Sequence, residues 1–136
     1  MSLSSSSSET SPLTKLSQIL AHELDLELAI LIGSQATGSA RPDSDWDIAI
    51  QWNRELVFVE QLAATEQLRR TLAEILGVTE QAIDLIDLPT AGLTMRAVVA
   101  EEGNPLKGGN SLAWHRFLQR TWRELEEQYW ESTYAA

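Results

Sequence analysis

Two short groups of residues in this chain are equipped for chemistry. Asp45 and Asp47 stand two apart at the head of an apolar run, Ile48-Ala49-Ile50, and Gly33-Ser34 closes an earlier one, Leu28-Ala29-Ile30-Leu31-Ile32. If the second run is a strand, side chains alternate faces: Asp45, Asp47 and Ala49 share one, while Trp46, Ile48 and Ile50 point to the other as core. The two carboxylates then lie about 6.6 Å apart along the backbone. Unpaired charges brought within about 4 Å repel by on the order of 4 kcal/mol at an effective dielectric of about 20, so a cation is expected between them. An oxygen-only ligand set with no cysteine or histidine nearby favours a hard ion, magnesium or manganese, over zinc. A glycine lets backbone approach a phosphate closely, successive N–H groups after a strand can form an anion nest, and the Ser34 hydroxyl adds a donor. A phosphate cradle followed by a carboxylate pair is minimal equipment for metal-assisted phosphoryl or nucleotidyl transfer.

The elements that must position these groups follow from patterning. Residues 1–10, MSLSSSSSET, carry almost no apolar side chains and are expected to be a disordered tail, leaving residues 11–136 as one domain. Leu13, Leu16, Ile19, Leu20 and Leu24 make one helical stripe, with Ser11 as N-cap and Pro12 at the first helical position; His22 lies off it. Leu26 to Ile32 reads as a central strand buried on both faces. Residues 37–42 read as a small, polar, flexible loop in which Arg41 is either a phosphate ligand or a solvated arginine. Asp43, two positions before the pair, is either a third acid near the metal or a turn residue beside Pro42, which is an adequate local explanation. A long helix is expected from about Leu56 to a stop at Gly77, burying Leu68, Leu72, Ile75 and Leu76 and wetting Arg69, Arg70 and Glu74.

The run from Ala82 to Leu88 reads as a third strand, and Asp84 in its midst asks for explanation because a lone buried carboxylate is costly. Asp87 falls on the opposite face. Thr90 to Glu101 reads as a helix and residues 101–111 as a turn-rich connector, where Lys107 either touches a phosphate or keeps the loop soluble. The last helix, Leu112 to about Trp130, carries Trp114, Phe117, Leu118, Thr121, Leu125 and Tyr129 at helical spacing, with Trp122 and Trp130 off that stripe. Those two aromatics are either a partner patch or packing against the sheet edge, and His115 is expected at the surface.

Gly33-Ser34, ten residues, then Asp45-x-Asp47 resembles the signature of the polymerase-beta type nucleotidyltransferase superfamily. Each half alone is common; the spacing, with each half abutting an apolar strand, carries the resemblance. The short chain looks like the superfamily's minimal members, the MNT antitoxins paired with HEPN toxins. The resemblance implies an α/β (α+β) fold with a small mixed central sheet flanked by helices. It implies that Gly33 and Ser34 hold the β and γ phosphates of ATP, and that Asp45 and Asp47 coordinate two magnesium ions. Asp84 is then the third carboxylate, favoured over Asp87, with a lesser role as base. It further implies AMP transfer to a tyrosine hydroxyl of a cognate HEPN ribonuclease toxin, acting as antitoxin in a hetero-oligomer. The alternatives are nucleotidyl transfer to a small cationic molecule such as an aminoglycoside, or a non-catalytic antitoxin that occludes its partner.

Composition bears on the partner. Ten Lys and Arg against twenty Asp and Glu give a formal net charge of −10, which disfavours direct contact with a nucleic-acid backbone and suits a cationic molecule or basic protein surface. There is no cysteine, hence no disulfide, zinc-thiolate site or thiol nucleophile. The apolar runs are too short for a membrane span and no signal-peptide pattern opens the chain, so a cytoplasmic protein is expected.

Overall fold

The structure, a computed structural model, describes residues 11–134; the expected tail at residues 1–10 lies outside them. In chain order the elements are α1 (Pro12–Ala21), β1 (Leu26–Ile32), α2 (Ser34–Thr37), β2 (Trp46–Trp52), α3 (Phe58–Leu76), β3 (Ile83–Asp87), α4 (Leu93–Glu102), β4 (Asn104–Lys107) and α5 (Leu112–Tyr134). Short 3-10 turns, Glu80–Ala82 and Leu88–Thr90, bracket β3. The four strands form one mixed sheet in the order β3-β2-β1-β4, with β2 and β3 parallel and the other pairs antiparallel. This is the α/β architecture that the patterning and resemblance imply.

Strand alternation divides the core into two layers. Leu26, Ala29 and Leu31 of β1 and Ile48, Ile50 and Trp52 of β2 pack with Leu16 and Leu20 of α1 and Leu68 and Leu72 of α3. Leu28, Ile30 and Ile32 of β1 and Ala49 of β2 face the other way, onto Val99 of α4 and Trp114 and Phe117 of α5. Leu26 and Leu28 serve opposite layers although two apart, because the register shifts between them at a bulge. Trp46 packs, partly buried, on the first layer, so its role is anchoring β2. Trp52 adds a hydrogen bond, its Nε1 donating to Thr65 Oγ1 at 2.9 Å.

Local signals set most boundaries. The Ser11 hydroxyl accepts from the Thr14 N–H and Pro12 opens α1, while Gly77, at φ 68, closes α3 in the left-handed conformation glycine tolerates. Five expectations need correction. Leu24 lies beyond the end of α1 and is 90% exposed. Thr37 belongs to the single helical turn α2 rather than to the loop. The connector at 101–111 contains strand β4, whose Pro105 is tolerated because β4 is an edge pairing only with β1. Lys107 is not a solvated loop residue: its Nζ donates to the Glu23 carbonyl, and burial pushes its ammonium below its ordinary value. Tyr129 is exposed, because α5 outruns the sheet it packs on.

Candidate nucleotidyl-transfer face

Asp47 lies opposite Ile32 on one neighbour and opposite Asp84 on the other. Register partners point to the same side of a sheet, so the parallel pairing of β2 and β3 brings Asp47 and Asp84 together at the end of the sheet where β2 begins. Asp45, just before β2, lines a cavity with Asp84 and adds its charge to that around Asp47. Asp87, paired with Ile50, falls out of phase; it is exposed and accepts from Thr90 Oγ1 at 2.7 Å.

Gly33 completes the arrangement. It follows Ile32, has φ +75, and a Cβ built on it would stand 2.6 Å from Asp47 Oδ2. The absent side chain is thus the space the Asp47 carboxylate occupies, and the backbone conformation also requires glycine. Ser34 opens α2, where the first N–H groups of a helical turn have no intrahelical acceptor. Arg41 sits apart on the exposed loop, with its N–H on Ser44 Oγ and no ion pair to its side chain among the described residues.

Burial pushes the Asp47 carboxyl above its ordinary value, and the nearby Asp84 and Asp45 carboxylates push it further the same way. Among the described residues no three His, Asp or Glu side chains close on one point at metal-holding distance. The donor set nonetheless suits a hard divalent cation in kind: three carboxylates gather at one end of the sheet, and the half-buried one is held by nothing but like charge. Asp45 and Asp84 are exposed, so their side chains are free to change rotamer. The exposure of Asp84 also removes the premise that it is a buried acid needing compensation; β3 is an edge strand.

An open cavity of about 410 Å³ adjoins this face, lined by Asp45, Asp84, Arg69, Glu80, Gln81 and Ile83. Arg69 is a functional candidate that sequence reading missed. It is half-buried, and its guanidinium donates to the Ile83 carbonyl at 2.6 Å and to Glu66 at 3.2 Å, fixing α3 to the strand that carries Asp84. The available signal was its position one residue after buried Leu68, at the edge of the α3 stripe rather than on its wet side.

This fold and face define a nucleotidyltransferase-type α/β domain, and comparison with known proteins agrees. The family model described as polymerase beta, nucleotidyltransferase matches residues 14–111, and the chain belongs to that family. It is similar to the protein adenylyltransferase MntA of Aphanizomenon flos-aquae (strain 2012/KM1/D3), with 29% identity over 98 residues. That match covers 70% of this chain and 65% of MntA, so the chain spans just under two thirds of its curated relative. A crystal structure of a toxin–antitoxin with AMP-PNP superposes with TM-score 0.58 at 25% identity, covering 80% of each chain. A structure of a tri-AMPylated Shewanella oneidensis HEPN toxin in complex with MNT antitoxin superposes with TM-score 0.58 at 21% identity, covering 89% of this chain and 91% of that one.

Proposed function

We propose that residues 11–136 form a nucleotidyltransferase domain that moves AMP from ATP to a tyrosine hydroxyl of a cognate HEPN ribonuclease toxin in the cytoplasm, acting as its antitoxin. The observation that carries the reading is the in-register pair Asp47 and Asp84, joined by Asp45 and facing a Gly33 without which the Asp47 carboxylate has no room. Similarity to an adenylyltransferase, and to complexes of toxin with antitoxin, supports the acceptor class. No helix of the described residues is long and apolar enough to cross a membrane, and the net charge of −10 suits a basic protein acceptor.

Asp45, Asp47 and Asp84 would hold magnesium, two ions or their manganese equivalents. When bound, these supply charge neutralisation on the polyphosphate and orientation of the reacting oxygens. Gly33 and Ser34 present N–H groups and a hydroxyl to the β and γ phosphates, leaving the α phosphorus toward the carboxylates. The acceptor hydroxyl oxygen forms its bond to the α phosphorus, the bond from that phosphorus to the bridging oxygen breaks, and pyrophosphate leaves. Asp84, exposed and lining the cavity, accepts the hydroxyl proton on a carboxylate oxygen, a role second to its part in holding the metal. Arg41, on the loop between cradle and carboxylates, reaches the polyphosphate as that loop closes.

The test is incubation of the protein and its neighbouring-gene partner with magnesium and ATP labelled at either the α or the γ phosphate. The reading expects α label on the partner and none from γ. Label from the γ position would mean phosphoryl transfer and overturn it.

A further inference from the structure

The charge of α5 is divided along its length. Residues 112–123 hold Arg116, Arg120 and Arg123 and no acid; residues 124–134 hold Glu124, Glu126, Glu127 and Glu131 and no Lys or Arg. Neither end carries a charge that complements the helix dipole, having no acid in the first turn and no base in the last. The division therefore does nothing for the helix ends, and within the helix it forms one ion pair among the described residues, Arg120 with Glu124 at 3.8 Å.

Each half has an unpartnered surface. From Glu126 to Tyr134 every residue is exposed, so about 13 Å of helix stands clear of the sheet. That end carries Tyr129, Trp130 and Tyr134, with the Trp130 and Tyr134 rings stacked at 4.7 Å. Aromatic surface of this kind, 63%, 49% and 69% exposed, is uncommon on an isolated domain. The first half borders a groove of about 610 Å³ lined by Arg54, Arg116, Arg120 and Arg123, with Glu27 as the one acid in the lining. Four of the chain's ten cationic residues thus converge on one groove of an acidic protein. The ion pairs of the described residues are Arg69 with Glu66, and Arg96 and Arg120 with Glu124, so Arg54, Arg116 and Arg123 are unpaired. Beside it, a cavity sharing Arg54 and Arg120 adds the exposed side chains of Phe58 and Leu62.

We propose that two copies of this chain pair through antiparallel α5 helices, the aromatic, glutamate-bearing end of each seated in the arginine-lined groove of the other. A two-fold interface must be self-complementary, and here both complementary halves lie on one helix. Antiparallel pairing opposes Arg116, Arg120 and Arg123 to Glu126, Glu127 and Glu131, sets guanidinium groups against Trp130 and aligns the two helix dipoles favourably. A different partner protein would have no need of this internal symmetry of charge. Gln51, at the groove, lies four residues along β2 from Asp47, about 13 Å, so pairing leaves the carboxylate face open and stands independently of the proposed activity.

The test is sedimentation equilibrium of the full chain, whose monomer is 15.1 kDa, at about 50 μM. A mass near twice that is expected, with dissociation strengthened at least tenfold by Arg116→Glu, Arg120→Glu and Arg123→Glu together, or by Glu126→Arg, Glu127→Arg and Glu131→Arg together. Mixing the two reversed chains restores the dimer. Trp130→Ala with Tyr134→Ala, which alters only exposed side chains, also weakens it at least tenfold and guards against a reversed chain that fails to fold. A monomeric wild type would overturn the proposal, including one that binds a different protein through α5. So would a dimer indifferent to the aromatic substitutions, or two folded reversed chains that do not pair when mixed.

Discussion

At the residue scale the chemistry turns on the contact between a missing side chain and a carboxylate. Gly33 has a backbone conformation, φ 75 and ψ −161, that costs an L-residue on the order of 1–3 kcal/mol, and any Cβ there meets Asp47 Oδ2 at 2.6 Å. Gly33→Ala must therefore displace the Asp47 carboxylate or distort the end of β1. The expected outcome is a stability loss of roughly 1–3 kcal/mol, read by urea unfolding. Label transfer from ATP falls by about a hundredfold, since displacement of this order at a reacting centre costs that much. An alanine variant that keeps full activity would mean Asp47 does not work from the position it occupies. Ser34 and Arg41 are held differently: Ser34 opens α2, while Arg41 lies on an exposed loop.

Among the elements, β2 and β3 present the carboxylates, and α3, α4 and α5 hold the frame. The α4–α5 contact is organised by Arg96, buried although charged, whose guanidinium donates to both Glu124 oxygens at 3.0 and 2.9 Å and to the Ala91 carbonyl. Hydrogen bonding from Arg96 holds the Glu124 carboxyl below its ordinary value of 4.5, helped by the charges of Arg96, Arg120 and Arg123. A carboxylate with a lowered folded-state value stabilises the fold above its unfolded value, and that contribution is lost as pH falls through the folded one. Thermal melts from neutral pH down through about pH 4 should show a larger acid-induced loss in wild type than in Glu124→Gln. Equal slopes would mean the pair is not formed in solution.

Elements also mark what could be read from sequence alone. Gly33, Asp45, Asp47 and Asp84 stand out in the sequence as candidates because phosphate cradles and carboxylate pairs demand residue types that are conspicuous beside apolar strands. Arg96 and β4 were not. An arginine flanked by Met95 and Ala97 looks like a solvated helix position until α5 is known to bring Glu124 to it. Pro105 among glycines imitates a turn until β1 is known to need an edge partner.

For the whole molecule, two faces lie at opposite ends of β2: three carboxylates where the strand begins, an arginine-lined groove where it ends. The sheet order β3-β2-β1-β4 makes the first possible, since only a parallel β3 beside β2 sets Asp84 level with Asp47. Register therefore distinguishes between two acids that sequence offers almost equally, Asp84 and Asp87. The most direct measurement is transfer of α-labelled AMP to the HEPN partner by wild type, Asp84→Asn and Asp87→Asn at saturating magnesium and ATP. The expected result is a loss of at least a hundredfold for Asp84→Asn, in keeping with removal of a charge-stabilising group, and near wild-type transfer for Asp87→Asn. Transfer that survives Asp84→Asn and is lost with Asp87→Asn would contradict the assigned face.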